Sequence, residues 1–511
     1  MNQKPNVIII MTDQQRADLS RREGFELDTT PFLDSLAHEG VWFDHAYTSM
    51  PICGPARVSL LTGRYPGATH VRTNWNIEDA YYKEDMFDVF QRNGYKTGLC
   101  GKNHSHLTPE KTDFWYAGDH LGIYEDSLTE QEKQFNEFLK DTHFHLSTEP
   151  TPFPLECQVP YRLVSRAQEW IASLGAEPFL LWLSIPEPHN PYQVPEPYFS
   201  MFSSDCPPAS TDESALGIKG FKYRFCRESF IKAFPGYEHQ IHRARCNYMG
   251  MLRLIDDQVK RFMGFLEQKK LRENTIIVFL SDHGDLVGEY GLLRKGPELP
   301  EPIIRIPLQF VGPGIKPGKK AHPAHVSIVD IMPTLCEAIG EPIGEGVQGR
   351  SLLPLLYGED YPVEEFSCAY VEQGFGGLHY TEEEALNPED DGLEVSRDGK
   401  PGAFDCLNSR TQSGTMRMVR KGDWKLIMDM QGKGQLYHLK EDPAELRNLY
   451  DDKKHLEKRL ELQEDLVTWI LRTQDPLPLP RRRYVMKRDE RNFWTPYQAH
   501  SDSAPKEDEG L

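Results

Sequence analysis

Five short strand-like runs, four of them leading into polar or titratable residues, constrain this chain more than any other feature. Val7-Ile8-Ile9-Ile10 is β-branched throughout and has no polar face, as a strand buried on both sides requires. Lys96 to Cys100, Phe179-Leu180-Leu181-Trp182-Leu183 and Thr275 to Leu280 read as further strands, and Arg305 to Val311 continues the sheet before the turn Gly312-Pro313-Gly314. Amphipathic helices are predicted over Met86 to Asn93, Tyr161 to Leu174 and Asn247 to Leu271; in the second, Leu163, Ala167, Trp170 and Ile171 share one face. The alternation predicts an α/β fold, a large mostly parallel sheet sandwiched by helices.

The 511 residues exceed what one ordinary core holds, and the texture changes near residue 366. Met416 to Val419 and Trp424 to Ile427 form a predicted hairpin around Lys421-Gly422-Asp423. Gln435 to Leu439 adds a strand, Lys440 to Pro443 a turn, and Asp452 to Thr473 an amphipathic helix. The expected organisation is an α/β domain over 1–365, a C-terminal subdomain over 366–475 with a small antiparallel sheet plus helix, and a Pro- and charge-rich tail over 476–511. Glu382 to Lys400 reads as an exposed acidic loop. The net charge of -20 argues against nucleic acid or an anionic membrane as partner. An anionic substrate would then need a local basic pocket. The apolar run near the N-terminus is far shorter than a signal h-region or a membrane span. The nine cysteines are scattered without a C-x-x-C pair, too irregularly for a disulfide framework or a zinc ribbon. These features predict a reducing, cytoplasmic setting; a periplasmic or secreted protein trimmed of its signal has the same signature. Homo-oligomerisation is left open.

The chemistry concentrates at the strand ends, where open α/β sheets bind ligands. The first strand ends in Thr12-Asp13-Gln14-Gln15, the second in Gly101-Lys102-Asn103-His104, the third in Pro186-Glu187-Pro188-His189, and the fourth in Ser281-Asp282-His283-Gly284-Asp285. Asp13, Gln14, Asp282 and His283 form a candidate divalent-metal site. Two carboxylates and an amide oxygen suit calcium; an imidazole shifts preference toward manganese or zinc. Cys53-Gly54-Pro55-Ala56-Arg57 reads as a helix start, with Pro55 in the first turn and Gly63 at the helix end. Cys53 would then meet the free N–H groups of a helix N-terminus, which favour a bound oxyanion. Arg57, one turn on, adds paired planar donors suited to a tetrahedral oxyanion.

The C-x-P-x-R run, continued by Val58 to Arg64, resembles the maturation motif of type I sulfatases, members of the alkaline-phosphatase superfamily. Lys102 and His104 match that family's Lys-x-His segment, His189 its strand-end histidine and Lys295, in Leu293-Arg294-Lys295-Gly296, its loop lysine. Looser similarity runs through Ser327 to Thr334 and returns at Gln435 to Pro443. The chain departs from the family at Gln14 and His283, where acidic and amide residues are usual. The resemblance implies that a formylglycine-generating maturation enzyme oxidises Cys53 to an aldehyde whose hydrate attacks the sulfur of a sulfate monoester. It implies that the metal, Arg57, Lys102 and Lys295 offset the charge on the sulfuryl oxygens. His189, with Lys295, would protonate the leaving alcohol, and His104 would deprotonate the remaining hydroxyl and expel sulfate. Two alternatives share most of these residues: a phosphonate or phosphate ester hydrolase, and an unmatured, non-catalytic protein that binds sulfated glycans. Residues 217–246 carry Lys219, Lys222, Arg224, Arg227, Lys232, Arg243 and Arg245. With Tyr192 and Tyr198, they either rim the pocket for a sulfated carbohydrate or form a solvated surface.

Overall fold

In the first strand, alternate side chains enter two different cores, and this sets the layers of the molecule. Val7, Ile9 and Met11 pack with Leu60, Leu61, Phe87, Phe90 and Leu335, whereas Ile8 and Ile10 pack with Leu163, Val164, Phe262 and Met263. The helices Cys53–Thr62, Met86–Arg92 and Ile331–Ala338 therefore cover one face, and Val159–Ser173 and Ile241–Gln268 the other. The computed structural model describes residues 4–125, 127–377, 379–383, 393–394 and 402–474. The predicted acidic loop over 382–400 lies mostly outside these residues, and the tail over 476–511 wholly outside them.

The main sheet has eight strands in the order Val41–Phe43, Leu308–Val311, Thr275–Ser281, Asn6–Asp13, Phe179–Pro188, Lys96–Gly101, Phe114–Asp119 and Gly122–Ile123. The strands from Thr275–Ser281 through Phe114–Asp119 are parallel, and the edges are antiparallel. The expectation of a mostly parallel, helix-covered sheet is met. One detail differs: only Leu308–Val311 of the Arg305–Val311 run joins the sheet, and it runs antiparallel to Thr275–Ser281. Arg305 instead leaves the sheet to pair with Glu23 at 2.8 Å.

The second sheet has four antiparallel strands, Cys368–Gly376, Gly414–Lys421, Trp424–Asp429 and Gly434–His438. The first of these was not predicted. The sheet shares a core with the main body, since Tyr370, Leu426 and Trp469 belong to the same hydrophobic cluster as Val7 and Ile9. Lys425, fully buried, joins the layers through Glu445 at 2.6 Å and Glu301 at 3.2 Å. The helix predicted from Asn247 begins earlier, at Ile241. Among the described residues no helix is long and apolar enough to cross a membrane.

Candidate active site

Four adjacent parallel strands deliver the predicted residues to one place. Asp13 ends the strand Asn6–Asp13; Lys102, His189 and Asp282 each follow the last residue of a neighbouring strand or lie one step beyond it. The helix Cys53–Thr62 points its first residue at the same spot. Its N-cap Ile52 is extended, and Gly63 ends it at φ 63°, the left-handed conformation expected there.

Cys53 is buried at the centre. Its Sγ lies 3.2 Å from His283 Nε2, 3.4 Å from Lys295 Nζ, 3.6 Å from Asp13 Oδ1 and 3.7 Å from Lys102 Nζ. Burial and Asp13 push the Cys53 thiol pKa up, but Lys102, Lys295 and His283 outweigh them and hold it well below the usual range. An anion at position 53 is thus favoured, as the helix N-terminus also favours it.

Arg57 is fully buried and ties the strand ends together. Its Nε donates to Asp282 Oδ2 at 2.9 Å, one terminal nitrogen donates to Asp13 Oδ2 at 3.2 Å, and the other to Ser184 Oγ at 2.7 Å and the Lys102 carbonyl at 2.8 Å. Lys102 Nζ also donates to Asp13 Oδ2. Burial raises the Asp13 pKa, yet Lys102 above all, with Arg57 and Lys295, holds it well below the carboxylate range. Asp282 goes the other way: burial and the neighbouring Asp13 push it up. Three cations are thus arranged around two carboxylates and position 53, so that a neutral group at 53 would leave positive charge to meet an incoming anionic ester.

The donor chemistry fits a divalent cation. Oδ1 of Asp13, Oδ1 of Asp282, the Cys53 Sγ and His283 Nε2 gather within 4.8 Å of one another. His283 Nε2 is 3.7 Å from each carboxylate oxygen. Ligand atoms at right angles around a cation with bonds of about 2.3 Å stand roughly 3.3 Å apart, so these spacings leave room for an ion between them. His283 Nδ1 donates to the Gly284 carbonyl at 3.0 Å, which fixes Nε2 toward the carboxylates. Gln14 stands beside this group at φ 71°, strained for a non-glycine residue. Its backbone N–H donates to Asp282 Oδ1 at 3.1 Å. Its Oε1 accepts from Lys295 at 3.1 Å and its Nε2 donates to Asp285.

Lys295 Nζ lies 3.0 Å from His189 Nε2, and His189 Nδ1 lies 2.6 Å from the Asn190 carbonyl. A carbonyl only accepts, so Nδ1 carries the proton and the Nε2 lone pair faces the ammonium. Burial and Lys295 lower the His189 pKa, which keeps the ring neutral. His104, at φ 44°, sits further out, and its ring meets His120 edge-on with centroids 6.4 Å apart. His120 in turn stacks on His189 at 4.1 Å and meets Phe144 at 5.7 Å.

Sequence reasoning missed His120 and the role of Asp285. His120 follows the strand Phe114–Asp119, which was not recognised, so its position at a strand end was not visible. Asp285 was in view within Ser281 to Asp285 but unassigned; it accepts from Gln14 and from the Tyr192 hydroxyl at 2.7 Å. The basic rim is a correction. Lys222 and Arg245 are buried and donate to backbone carbonyls, of Ser413 and of Pro207 and Val287. Arg227 donates to the Gly291 carbonyl at 2.6 Å, and Lys219 lies over the Tyr223 and Tyr290 rings. Tyr192 is spent on Asp285 and Tyr198 on Asp257. Lys219, Lys222, Arg227 and Arg245 thus brace the packing around them, whereas Arg224 and Lys232 stand toward solvent, as the second expectation had it.

A family model described as Sulfatase matches residues 5–341. The chain is 27% identical over 489 residues to an arylsulfatase of Clostridium perfringens (strain 13 / Type A), covering 89% of this chain and 92% of that protein. It is 27% identical over 488 residues to a choline-sulfatase of Rhizobium meliloti (strain 1021), covering 88% and 83%. Its fold is similar to the crystal structure of a phosphonate monoester hydrolase of Agrobacterium radiobacter, with a TM-score of 0.71, 22% identity, and coverage of 92% of this chain and 96% of that one.

Proposed function

The chain belongs to the sulfatase family and is a sulfuric ester hydrolase, and we propose that it cleaves sulfate monoesters of saccharides with a formylglycine made from Cys53. One observation carries this reading. The Cys53 Sγ, standing where the attacking oxygen of an aldehyde hydrate would stand, lies within 3.7 Å of two ammonium groups, a carboxylate and an imidazole. A structural thiol has no need of such company; a nucleophile that must approach an anion does. A maturation enzyme that generates formylglycine is then an obligatory partner.

A divalent cation held by Asp13, Gln14, Asp282 and His283 would supply Lewis acidity that lowers the pKa of the attacking hydroxyl. Calcium suits the oxygen donors, and His283 widens the choice to manganese. The second lone pair of Gln14 Oε1 stays open beside Lys295. Arg57 and Lys102 hold Asp13 and Asp282 in place and add to the positive field on the sulfuryl oxygens. The proton for the leaving alcohol starts on Lys295, because neutral His189 presents a lone pair to it. His189 passes it on at Nε2 or orients Lys295 to do so directly. His104 is the base for sulfate release, reached through the ring group that includes His120. His120, stacked on His189, and Phe144, standing edge-on to His120, give the site an aromatic side of the kind that packs on a sugar.

Mass analysis of the tryptic Cys53 peptide, with and without a co-expressed formylglycine-generating enzyme, tests the nucleophile. Activity should rise in proportion to aldehyde content, and Cys53→Ala should lose turnover by several orders of magnitude while keeping its fold. Side-by-side kcat/KM on sulfate, phosphate and phosphonate esters of one alcohol tests the reaction. Matured enzyme that prefers the phosphonate would move the assignment to the rival hydrolase. A panel of sulfated mono- and disaccharides tests the alcohol.

A further inference from the structure

Away from the catalytic group, a second set of soft donors converges. His242 and Cys246 are four residues apart in the first turns of the helix Ile241–Gln268, so their side chains leave the same face. Cys206 comes from the segment after the short helix Tyr198–Met201, where its N–H donates to the Phe202 carbonyl at 3.0 Å. The donor atoms of Cys206, His242 and Cys246 all lie within 4.8 Å of one another, and Cys246 Sγ is 3.6 Å from His242 Nε2. Both thiols are free and buried, and an exposed imidazole closes the third side, a donor set that suits a borderline-soft ion.

We propose that Cys206, His242 and Cys246 bind one zinc ion, with water at the fourth position. Bonds of about 2.3 Å to sulfur and about 2.0 Å to nitrogen in a tetrahedron place S and N roughly 3.5 Å apart, close to the observed spacing. Binding converts both thiols to thiolates and releases their two protons to solvent. The placement is fixed by the fold. Arg245, next to Cys246, donates to the Pro207 carbonyl at 2.8 Å and to the Val287 carbonyl at 2.9 Å, holding the Cys206 segment against the helix. The nearby Arg243 charge is turned away, onto the Phe199 ring at 4.1 Å, the Phe199 carbonyl and Ser203 Oγ. A Cys206–Cys246 disulfide would make the two thiols meet as well, but it leaves the convergence of His242 without a purpose. The same helix supplies Tyr248, whose hydroxyl donates to the Gln14 carbonyl at 2.7 Å, and Asn247, which donates to the Tyr192 carbonyl at 2.9 Å. The ion would thus fasten a surface segment to the helix that backs the catalytic group. The cysteine spacing in the sequence gives no sign of this site, which joins Cys206 to residues about forty positions further on.

The test uses the full chain, reduced, dialysed and loaded with cobalt(II) or zinc. Cobalt-loaded protein should show a thiolate-to-metal charge-transfer band in the near ultraviolet. The band should persist in Asp282→Asn, which disables the catalytic group, and vanish in Cys246→Ser. His242→Ala, at an exposed position that cannot cost the fold, should keep the band but weaken zinc binding by at least about tenfold. Sulfate ester turnover should stay within about twofold in Cys246→Ser and in His242→Ala. Three results overturn the proposal: no thiolate band in the wild type, equal zinc stoichiometry in wild type and Cys246→Ser, or a mass short by two hydrogens that places a Cys206–Cys246 disulfide in protein kept under reductant.

Discussion

Arg57 decides how the site responds to single changes, because its guanidinium donates to both carboxylates of the candidate metal group. With Asp13, Asp282 and Arg57 all fully buried, removing one member leaves its partner's charge less fully compensated in a place water does not reach. Breaking such a pair costs about 3–5 kcal/mol. Asp282→Asn keeps the shape and the two backbone N–H bonds to its Oδ1 but loses the charge that balances Arg57. We expect metal affinity to fall by at least about a hundredfold, with activity falling in step; elemental analysis and turnover on one preparation check it. Metal content that survives while activity disappears would assign Asp282 to charge balance alone. His120 separates two roles at the same scale. Burial and Lys102 lower its pKa, so it is a neutral ring against His189. His120→Phe keeps the stack and should leave kcat within about threefold. His104→Ala should instead give a burst of alcohol followed by stalling, because release of sulfate is the step it serves. Pre-steady-state kinetics distinguish the two.

The strand end of Lys96–Gly101 shows how an element positions a charge. Gly101 has φ 113°, and a Cβ there would stand 1.9 Å from the Ser184 carbonyl oxygen of the adjacent strand. That close approach lets the Lys102 N–H donate to the same carbonyl at 2.9 Å, which aims its side chain at Asp13. Gly101→Ala must push two central strands apart. It should cost on the order of 2–3 kcal/mol and lower kcat more than KM, measured by thermal melts and steady-state kinetics. A variant with unchanged melting and unchanged kcat would show that the strand end yields freely. The first strand makes a simpler case. Ile9 is fully buried in the core between the sheet and the helix Cys53–Thr62, and Ile9→Ala should cost about 3–4 kcal/mol without changing the chemistry of any site residue.

At the scale of the molecule, legibility followed burial pattern. The central strands were readable because they are apolar on both faces, and their ends named Asp13, Lys102, His189 and Asp282 before any coordinates. Cys368–Gly376 was not readable: its middle carries Glu372, a buried carboxylate whose pairing with Arg72 depends on distant chain. The first turns of Ile241–Gln268 were hidden for a like reason, since Arg245 looks solvent-seeking until its carbonyl partners are known. Long-range satisfaction of buried polar groups also governs how the whole fold meets acid. His145 stacks on Phe234 and bonds Gln240, and His325 stacks on His45. Burial, with Arg294 beside the first and His45 beside the second, depresses each to about 3. Their folded-state values thus lie below the unfolded value of about 6.5. Between those limits the unfolded chain binds more protons, so the stability each neutral ring contributes is complete above pH about 6.5 and is lost as pH falls toward 3. Asp256 and Glu187, pushed by burial up to about 7 and about 8, have the opposite sign and gain stability as pH falls. The net slope of the wild type mixes both, so the informative quantity is a difference. Replacing His325 by Gln removes one acid-labile ring, and the stability gap between wild type and His325→Gln should move by about 2–3 kcal/mol in favour of the variant from pH 6.5 to 4.5. Urea midpoints at pH 7.5, 6.5, 5.5 and 4.5 on both proteins measure that gap; a gap that stays constant over this window would mean that His325 is protonated in the folded chain as readily as in the unfolded one.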